Sequence, residues 1–181
     1  MNVFIACSAS QYIDKKYLEL TLDVSKYLIE QNYNLVFGAF DKSMMGICYD
    51  EFKNNNKHIV SVTPKVYEKD LDRLEDSEKI ITEDTIMRFK TIYDLSDLVV
   101  ILPGGIGTLT ELLNTIEDYR TIPTDKRVIL YNYEGFYDDI LKWFNEKKEL
   151  GFISGNVKDF IDIVDEYEEF KKIIGGITWK K

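Results

Sequence analysis

The sequence predicts a doubly wound α/β domain whose mostly parallel sheet is flanked by helices. Three observations predict it. Short apolar runs alternate with longer stretches of helical periodicity along the chain, the pattern of strands joined by right-handed helical crossovers. A length of 181 residues, 45% hydrophobic and 30% charged, suits one domain with a single core over 1–181, with a tail from about 175. Third, the apolar run 98–102 enters a loop with three glycines in four residues, Gly104, Gly105 and Gly107, and a helical pattern leaves it. No repeat or linker divides the chain.

The elements follow in order. Residues 2–7 (NVFIAC) are short and apolar, as a buried strand is. Ser8-Ala9-Ser10 makes a turn. Over 13–29, Tyr17, Leu18, Leu20, Leu22, Val24, Tyr27 and Leu28 include many i, i+3 and i, i+4 pairs, so this is a helix, closed by Gln31-Asn32. Residues 33–38 give a second strand. Ser43 caps a helix to residue 54 with Met44, Ile47, Cys48 and Phe52 on one face. Residues 58–62 give a third strand. Residues 63–81 read as a long charged connection, either functional or partly helical. A helix runs from Thr82 or Asp84 to Leu95, a fourth strand over 98–102, a helix over 108–119 and a turn over 121–125 around Pro123. Residues 127–131 form a fifth strand and 136–150 a helix broken at Gly151. A short last strand at 160–164, a closing helix at 166–173 and a tail at 178–181 complete the chain.

A net charge of −9 argues against non-specific binding to nucleic acid or an anionic membrane. No apolar run nears the roughly 20 residues that span a bilayer, and no basic segment precedes the first strand as in a signal peptide. A cytoplasmic protein is expected. Two cysteines, Cys7 and Cys48, lack CxxC spacing and read as small buried residues. With a single histidine, His58, and no ligand cluster, neither a metal nor another cofactor is expected.

Ligands bind such sheets beyond the carboxyl ends of the strands. The loop after residue 102 lies on that edge. A crossover helix runs antiparallel to the strands, so its first turn lies there too. Arg88, in the first or second turn of its helix, and Glu111, 23 positions later, therefore share one rim with Ser8-Ala9-Ser10 and with residues 38–43. The glycine loop is neither a Walker A loop nor GxGxxG. It offers backbone donors and a helix N-terminus to an anion such as phosphate, or else it is a tight turn using glycine for packing. Glu111 either complements the helix dipole or faces the ligand, where a carboxylate stabilises an oxocarbenium-like centre or directs water. Arg88 is slightly unfavourable for the dipole of its helix, and a guanidinium holding phosphate or ribose hydroxyls explains it there. Lys90 fits a solvated face better. Met44, Met45 and Met87 either line a base pocket or pack in the core, the commoner fate of methionine. Tyr131, Tyr133 and Trp143 read as core or interface. Asp138-Asp139 and Glu168-Glu169 read as solvated helix faces.

The stretch Pro103-Gly104-Gly105-Ile106-Gly107-Thr108-Leu109-Thr110-Glu111 resembles, without a gap, the PGGxGTxxE motif of the LOG ("Lonely Guy") family, cytokinin riboside 5′-monophosphate phosphoribohydrolases often mislabelled as lysine decarboxylases. The likeness extends to residues 84–90 and 95–97 upstream, to 125–132, 135–138 and 151–153 downstream, and to the loops at 4–10 and 43–46, covering about 2–165. It implies a Rossmann-like fold, usually a homodimer or higher homo-oligomer with sites near the interface. It further implies hydrolysis of a nucleoside 5′-monophosphate, AMP or an N6-modified AMP, to free base and ribose 5-phosphate. By position Arg88 matches the family's catalytic Arg and Glu111 its catalytic Glu. Gly104, Gly105, Ile106, Gly107 and Thr108 match its phosphate loop, and Ser8, Met45, Gly46 and Met87 complete the expected substrate contacts. Three places depart from the family. The paired Arg-Lys is Arg88-Phe89, with Lys90 one place later. The usually Gly-rich loop after the second strand reads Gly38-Ala39-Phe40-Asp41-Lys42-Ser43. Thr110 stands where a second Glu is common. A nucleotide-binding or sensing module without turnover is the alternative reading. A decarboxylase is set aside, because no pyridoxal phosphate lysine is evident.

Overall fold

Among the described residues the expected apolar runs and one charged segment form seven strands: β1 (Asn2–Ala6), β2 (Asn34–Phe37), β3 (Ile59–Pro64), β4 (Glu78–Thr82), β5 (Leu98–Ile101), β6 (Arg127–Tyr131) and β7 (Asp162–Val164). They form one sheet in the order β4-β3-β2-β1-β5-β6-β7, and every neighbouring pair is parallel. The structure, a computed structural model, describes residues 1–122 and 124–178. Pro123, the centre of the turn expected at 121–125, and residues 179–181 of the expected tail lie outside the described residues.

Among the described residues five helices connect strands, α1 (Lys15–Glu30), α2 (Ser43–Asn54), α3 (Thr85–Leu95), α4 (Ile106–Thr121) and α5 (Asp138–Glu149), and α6 (Tyr167–Gly175) follows the last one. Side chains alternate across β1. Val3, Ile5 and Cys7 pack with α1, α2 and α6 through residues such as Val24, Met44 and Phe170. Phe4 and Ala6 pack on the opposite face with α3, α4 and α5 through Ile92, Leu112 and Phe144. Both faces of the sheet are thus covered, as an all-parallel sheet requires. Among the described residues no helix is long and apolar enough to cross a membrane.

One expectation needs correction. Residues 63–81 are not merely an irregular connection: two 3-10 turns meeting at Tyr67 cover Lys65–Arg73, and Glu78–Thr82 adds a seventh strand, paired Val60↔Glu78 through Pro64↔Thr82. β4 is an edge strand, largely exposed. Its charges, Glu78 and Lys79, blunt an open edge and also disguise the strand in the sequence. Helix starts also shift: α1 begins at Lys15 with Asp14 as its cap rather than at residue 13, and Lys42 rather than Ser43 stands at the N-cap of α2, with no side-chain cap, because the Ser43 hydroxyl turns to the Ser10 carbonyl. Gly105 is the N-cap of α4, so the helix begins at Ile106 rather than Thr108. α5 begins at Asp138 rather than Phe136, because Glu134 (φ 51°) and Gly135 (φ 72°) form a left-handed turn ahead of it.

The chain winds from β1 through β2 and β3 to β4 on one side, then returns to place β5, β6 and β7 on the other. Strands β1 and β5 flank the point where the winding reverses, and a crevice opens beyond their carboxyl ends.

Candidate functional site

The glycine loop lies at that crevice. β5 is in register with β1 from Val3↔Leu98 to Ala6↔Ile101, and the Leu102 amide extends the ladder by donating to the Ala6 carbonyl at 2.9 Å. Pro103, Gly104 and Gly105 then lead into α4. No side chain caps α4, so the first-turn amides stand open to an anion, at the positive end of the helix dipole.

The glycines differ in what they do. A Cβ at Gly104 would sit 2.1 Å from the Thr108 hydroxyl, so this glycine lets Thr108 fold back under the loop. A Cβ at Gly105 or Gly107 would meet nothing within 4 Å, and neither residue has a positive φ. Nothing inside the protein explains these two glycines. Open space of this kind lets a ligand approach the backbone closely.

Arg88 is aimed from the other side. Asp84 caps α3 by accepting from the Met87 amide at 2.7 Å, which sets Arg88 in the first turn. Its Nε donates to the Val62 carbonyl at 3.2 Å and its Nη1 to Glu111 Oε1 at 3.2 Å. Its guanidinium covers Gly38, where a Cβ would lie 1.9 Å from Nη2. The pair is largely buried, with 17% of the Arg88 side chain and 8% of the Glu111 side chain exposed. Burial pushes the Glu111 carboxyl above its ordinary range, and Arg88 only partly offsets this. Nearby, the Cys7 thiol is pushed well up by its contact with Cys48, by burial and by Glu111. Both cysteines are free and buried, as expected.

A pocket of about 260 Å³ adjoins the loop on the α1 side, lined by Ser8, Ser10, Ile13, Tyr17, Met44, Pro103, Gly104, Gly105 and Phe136. The structure thus brings Ser8, Gly104 and Gly105 to one pocket and Arg88 to Glu111 beside it. Thr108 is buried under the loop, and Ile106 is 86% exposed. Met45 packs half-buried against the core. Gly46 lies outside the pocket lining; its Cα abuts the Asp41 carbonyl, where a Cβ would lie 2.6 Å away. Met87 is half exposed at the start of α3. Lys90 pairs with Asp94 at 2.7 Å on a solvated face, and Phe89 stacks on Tyr93 in the core. Among the described residues no group of three His, Cys, Asp or Glu side chains could hold a metal.

Val62, Ile13, Tyr17, Phe136 and Tyr137 reach the site without having been singled out from the sequence as contributors, whereas Gly38 lies in the loop already placed on this rim. Gly38 and Val62 act through Arg88, a tertiary contact that no local pattern encodes. Phe136 and Tyr137 belong to the stretch 135–138 that already resembled the family. The loop after β2 carries a further surprise: Ala39 (φ 60°) and Ser43 (φ 58°) adopt the left-handed conformation. The Ser43 hydroxyl donates to the Ser10 carbonyl, and Asp41 faces Arg73 at 3.6 Å.

The raised Glu111 pKa has a consequence for stability. A folded pKa above the unfolded value contributes stability at low pH that is lost as pH rises through the folded pKa. Glu111→Gln keeps an acceptor for Arg88 and lacks this loss. The thermal midpoint of Glu111→Gln minus that of wild type should therefore grow as pH is raised from the ordinary value of 4.5 into the neutral range. A difference that is flat or shrinking with pH contradicts the burial-dominated reading.

Comparisons with known proteins agree with this fold. A family model described as "Possible lysine decarboxylase" matches residues 45–174. Cytokinin riboside 5′-monophosphate phosphoribohydrolase LOG4 of Arabidopsis thaliana is 29% identical over 196 residues, covering 99% of this chain and 87% of the relative. Probable cytokinin riboside 5′-monophosphate phosphoribohydrolase LOGL2 of Oryza sativa subsp. japonica is 27% identical over 200 residues, covering 99% and 78%. Among solved structures, the structural-genomics target TM1055 superposes with a TM-score of 0.71 at 20% identity, covering 97% of this chain and 99% of that one. The molybdenum cofactor carrier protein of Chlamydomonas reinhardtii does so with 0.66 at 13%, covering 96% and 95%. These structural likenesses are of fold. The family match spans most of the chain and includes the whole glycine motif with its Glu111, and the chain belongs to the LOG family, whose model carries the lysine decarboxylase description.

Proposed function

We propose that this protein hydrolyses the N-glycosidic bond of a purine nucleoside 5′-monophosphate, AMP or an N6-modified AMP, releasing free base and ribose 5-phosphate. The observation that carries the reading is the buried Arg88–Glu111 pair at 3.2 Å beside a loop whose Gly105 and Gly107 face open space. Phosphate is held by the amides from Gly104 to Thr108. Arg88, fixed by Val62, Gly38 and Glu111, orients the ribose with a planar fork of donors. As the C1′–N bond breaks, its electron pair leaves with the base and positive charge develops on the sugar. The Glu111 carboxylate stabilises that charge and accepts a proton from the attacking water; the departing base takes up a proton from solvent and Glu111 returns its own to solvent, leaving neutral base and the starting carboxylate. The apolar pocket walled by Tyr17, Met44 and Phe136 has the size and lining of a site for a flat base. The names of the relatives support the reaction class.

We further propose a homodimer in the cytoplasm. The exposed apolar side chains Ile86, Met87, Ile106 and Leu113 on α3 and α4 support the dimer, and the two free cysteines support a reducing compartment. Sedimentation should give a mass near twice 21.2 kDa; a monomer at micromolar concentration rejects the dimer.

The deciding assay is a panel of purine and pyrimidine monophosphates scored for free base. Turnover should favour a purine, and Glu111→Ala should lose roughly 10²- to 10⁴-fold in kcat. Wild type inert across the panel, with tight nucleotide binding that survives Glu111→Ala, would establish the binding-module alternative. A second test separates the glycines. Gly107→Ala, at an open position inside α4, should not lower the thermal midpoint and should raise KM for the monophosphate, whereas Gly104→Ala should destabilise the fold by about 1–3 kcal/mol. Equal stability loss for both would remove the argument from the open glycines.

A further inference from the structure

We propose that Tyr137 is a positioning residue: its hydroxyl pins the junction between β5 and the glycine loop, holding the loop in the shape that receives the phosphate. The proposal deepens the reading given under Proposed function and rests on it for the identity of the ligand.

Leu102 follows the last ladder residue of β5, Ile101, which pairs with Leu130 of β6. The Leu102 carbonyl therefore leaves the sheet just where the chain turns into Pro103, and a buried carbonyl needs a partner. Tyr137 supplies it: its hydroxyl donates to the Leu102 carbonyl at 2.8 Å, and the Gly104 backbone faces the same hydroxyl. One phenol thus touches the loop on both sides of Pro103. The side chain is buried, so water does not compete for these contacts.

The phenol is itself fixed. The Tyr137 amide donates to Asn132 Oδ1 at 2.7 Å. The Asn132 amide group donates to Asp138 at 2.9 Å and to Asp165 at 2.8 Å, tying the segment to the carboxyl ends of β6 and β7. The left-handed turn at Glu134 and Gly135 brings the chain round sharply, and Lys16 of α1 holds Glu134 from outside. The same turn delivers Phe136 to the pocket, edge-on to Tyr17 at 5.8 Å. A single anchored segment therefore sets both the loop that takes the phosphate and one wall of the adjoining pocket. Tyr137 is not among the pocket-lining residues and acts through the loop.

Tyr137→Phe removes the hydroxyl and keeps the ring. In ligand-free protein, hydrogen exchange of the segment 102–108 should quicken at least about threefold, with segments on α6 unchanged. The dissociation constant for ribose 5-phosphate and KM for AMP should rise roughly three- to tenfold, kcat should stay within about twofold, and the affinity for unphosphorylated adenosine should not move. Ile174→Val, a core change on α6, serves as the control: it lowers the thermal midpoint without altering loop exchange or KM. Unchanged exchange at 102–108 in Tyr137→Phe overturns the pin, and so does a KM increase shared by Ile174→Val. Faster exchange with unchanged ribose 5-phosphate affinity overturns the positioning role. If wild type neither binds ribose 5-phosphate nor turns over any monophosphate, the functional reading fails, and the exchange measurement alone then decides whether the hydroxyl pins the loop.

Discussion

Strand β1 is hydrogen-bonded to β2 on one side and to β5 on the other. That pairing joins two halves of the chain that wind in opposite directions. The Leu102 amide carries the β1–β5 ladder one step past the strand, and the glycine loop begins at the next residue. Ser8 and the pocket follow from the end of β1; the loop and Glu111 follow from the end of β5. Val62 and Gly38, which hold Arg88, follow the same edge outward along β3 and β2. A register slip of one residue between β1 and β5 would turn each strand's side chains to the wrong face and misplace every one of these groups.

Within that frame the Arg88–Glu111 pair is held against an electrostatic cost. Two charges removed from water repay desolvation only with good geometry and further hydrogen bonds. Arg88 has them, from Val62 and Glu111, and a glycine on which to lie. The Glu111 carboxyl has its hydrogen bond from Arg88, and its raised pKa records the remaining imbalance. A residual demand of this kind is common at sites that act on ligands.

Much of the frame was legible in the sequence. The alternation of strands and helices indicates the doubly wound class, and the geometry of crossovers by itself places Arg88 and Glu111 on one rim. Alternation is legible because a strand buried on both faces must be continuously apolar. β4 was illegible for the converse reason: at an edge it carries Glu78 and Lys79, and its composition is that of a loop. The contact of Gly38 with Arg88 was illegible because it joins residues 50 apart through a guanidinium whose course depends on Val62. The different duties of Gly104 and Gly105 were likewise hidden, since adjacent identical residues look alike until their surroundings are known.

The left-handed Ala39 and Ser43 bear on how the crevice can respond to what enters it. Each such residue costs on the order of 1–2 kcal/mol, so the segment between β2 and α2 sits above its own local minimum, kept there by the Ser43 contact to Ser10 and by Asp41 facing Arg73. A rearrangement that lets those two residues relax recovers that energy and offsets the contacts given up. The same kind of strain sits at Glu134 beside Phe136, so two walls of the crevice hold it. The glycine loop, where Gly104, Gly105 and Gly107 all keep φ out of the left-handed region, has no such energy to recover.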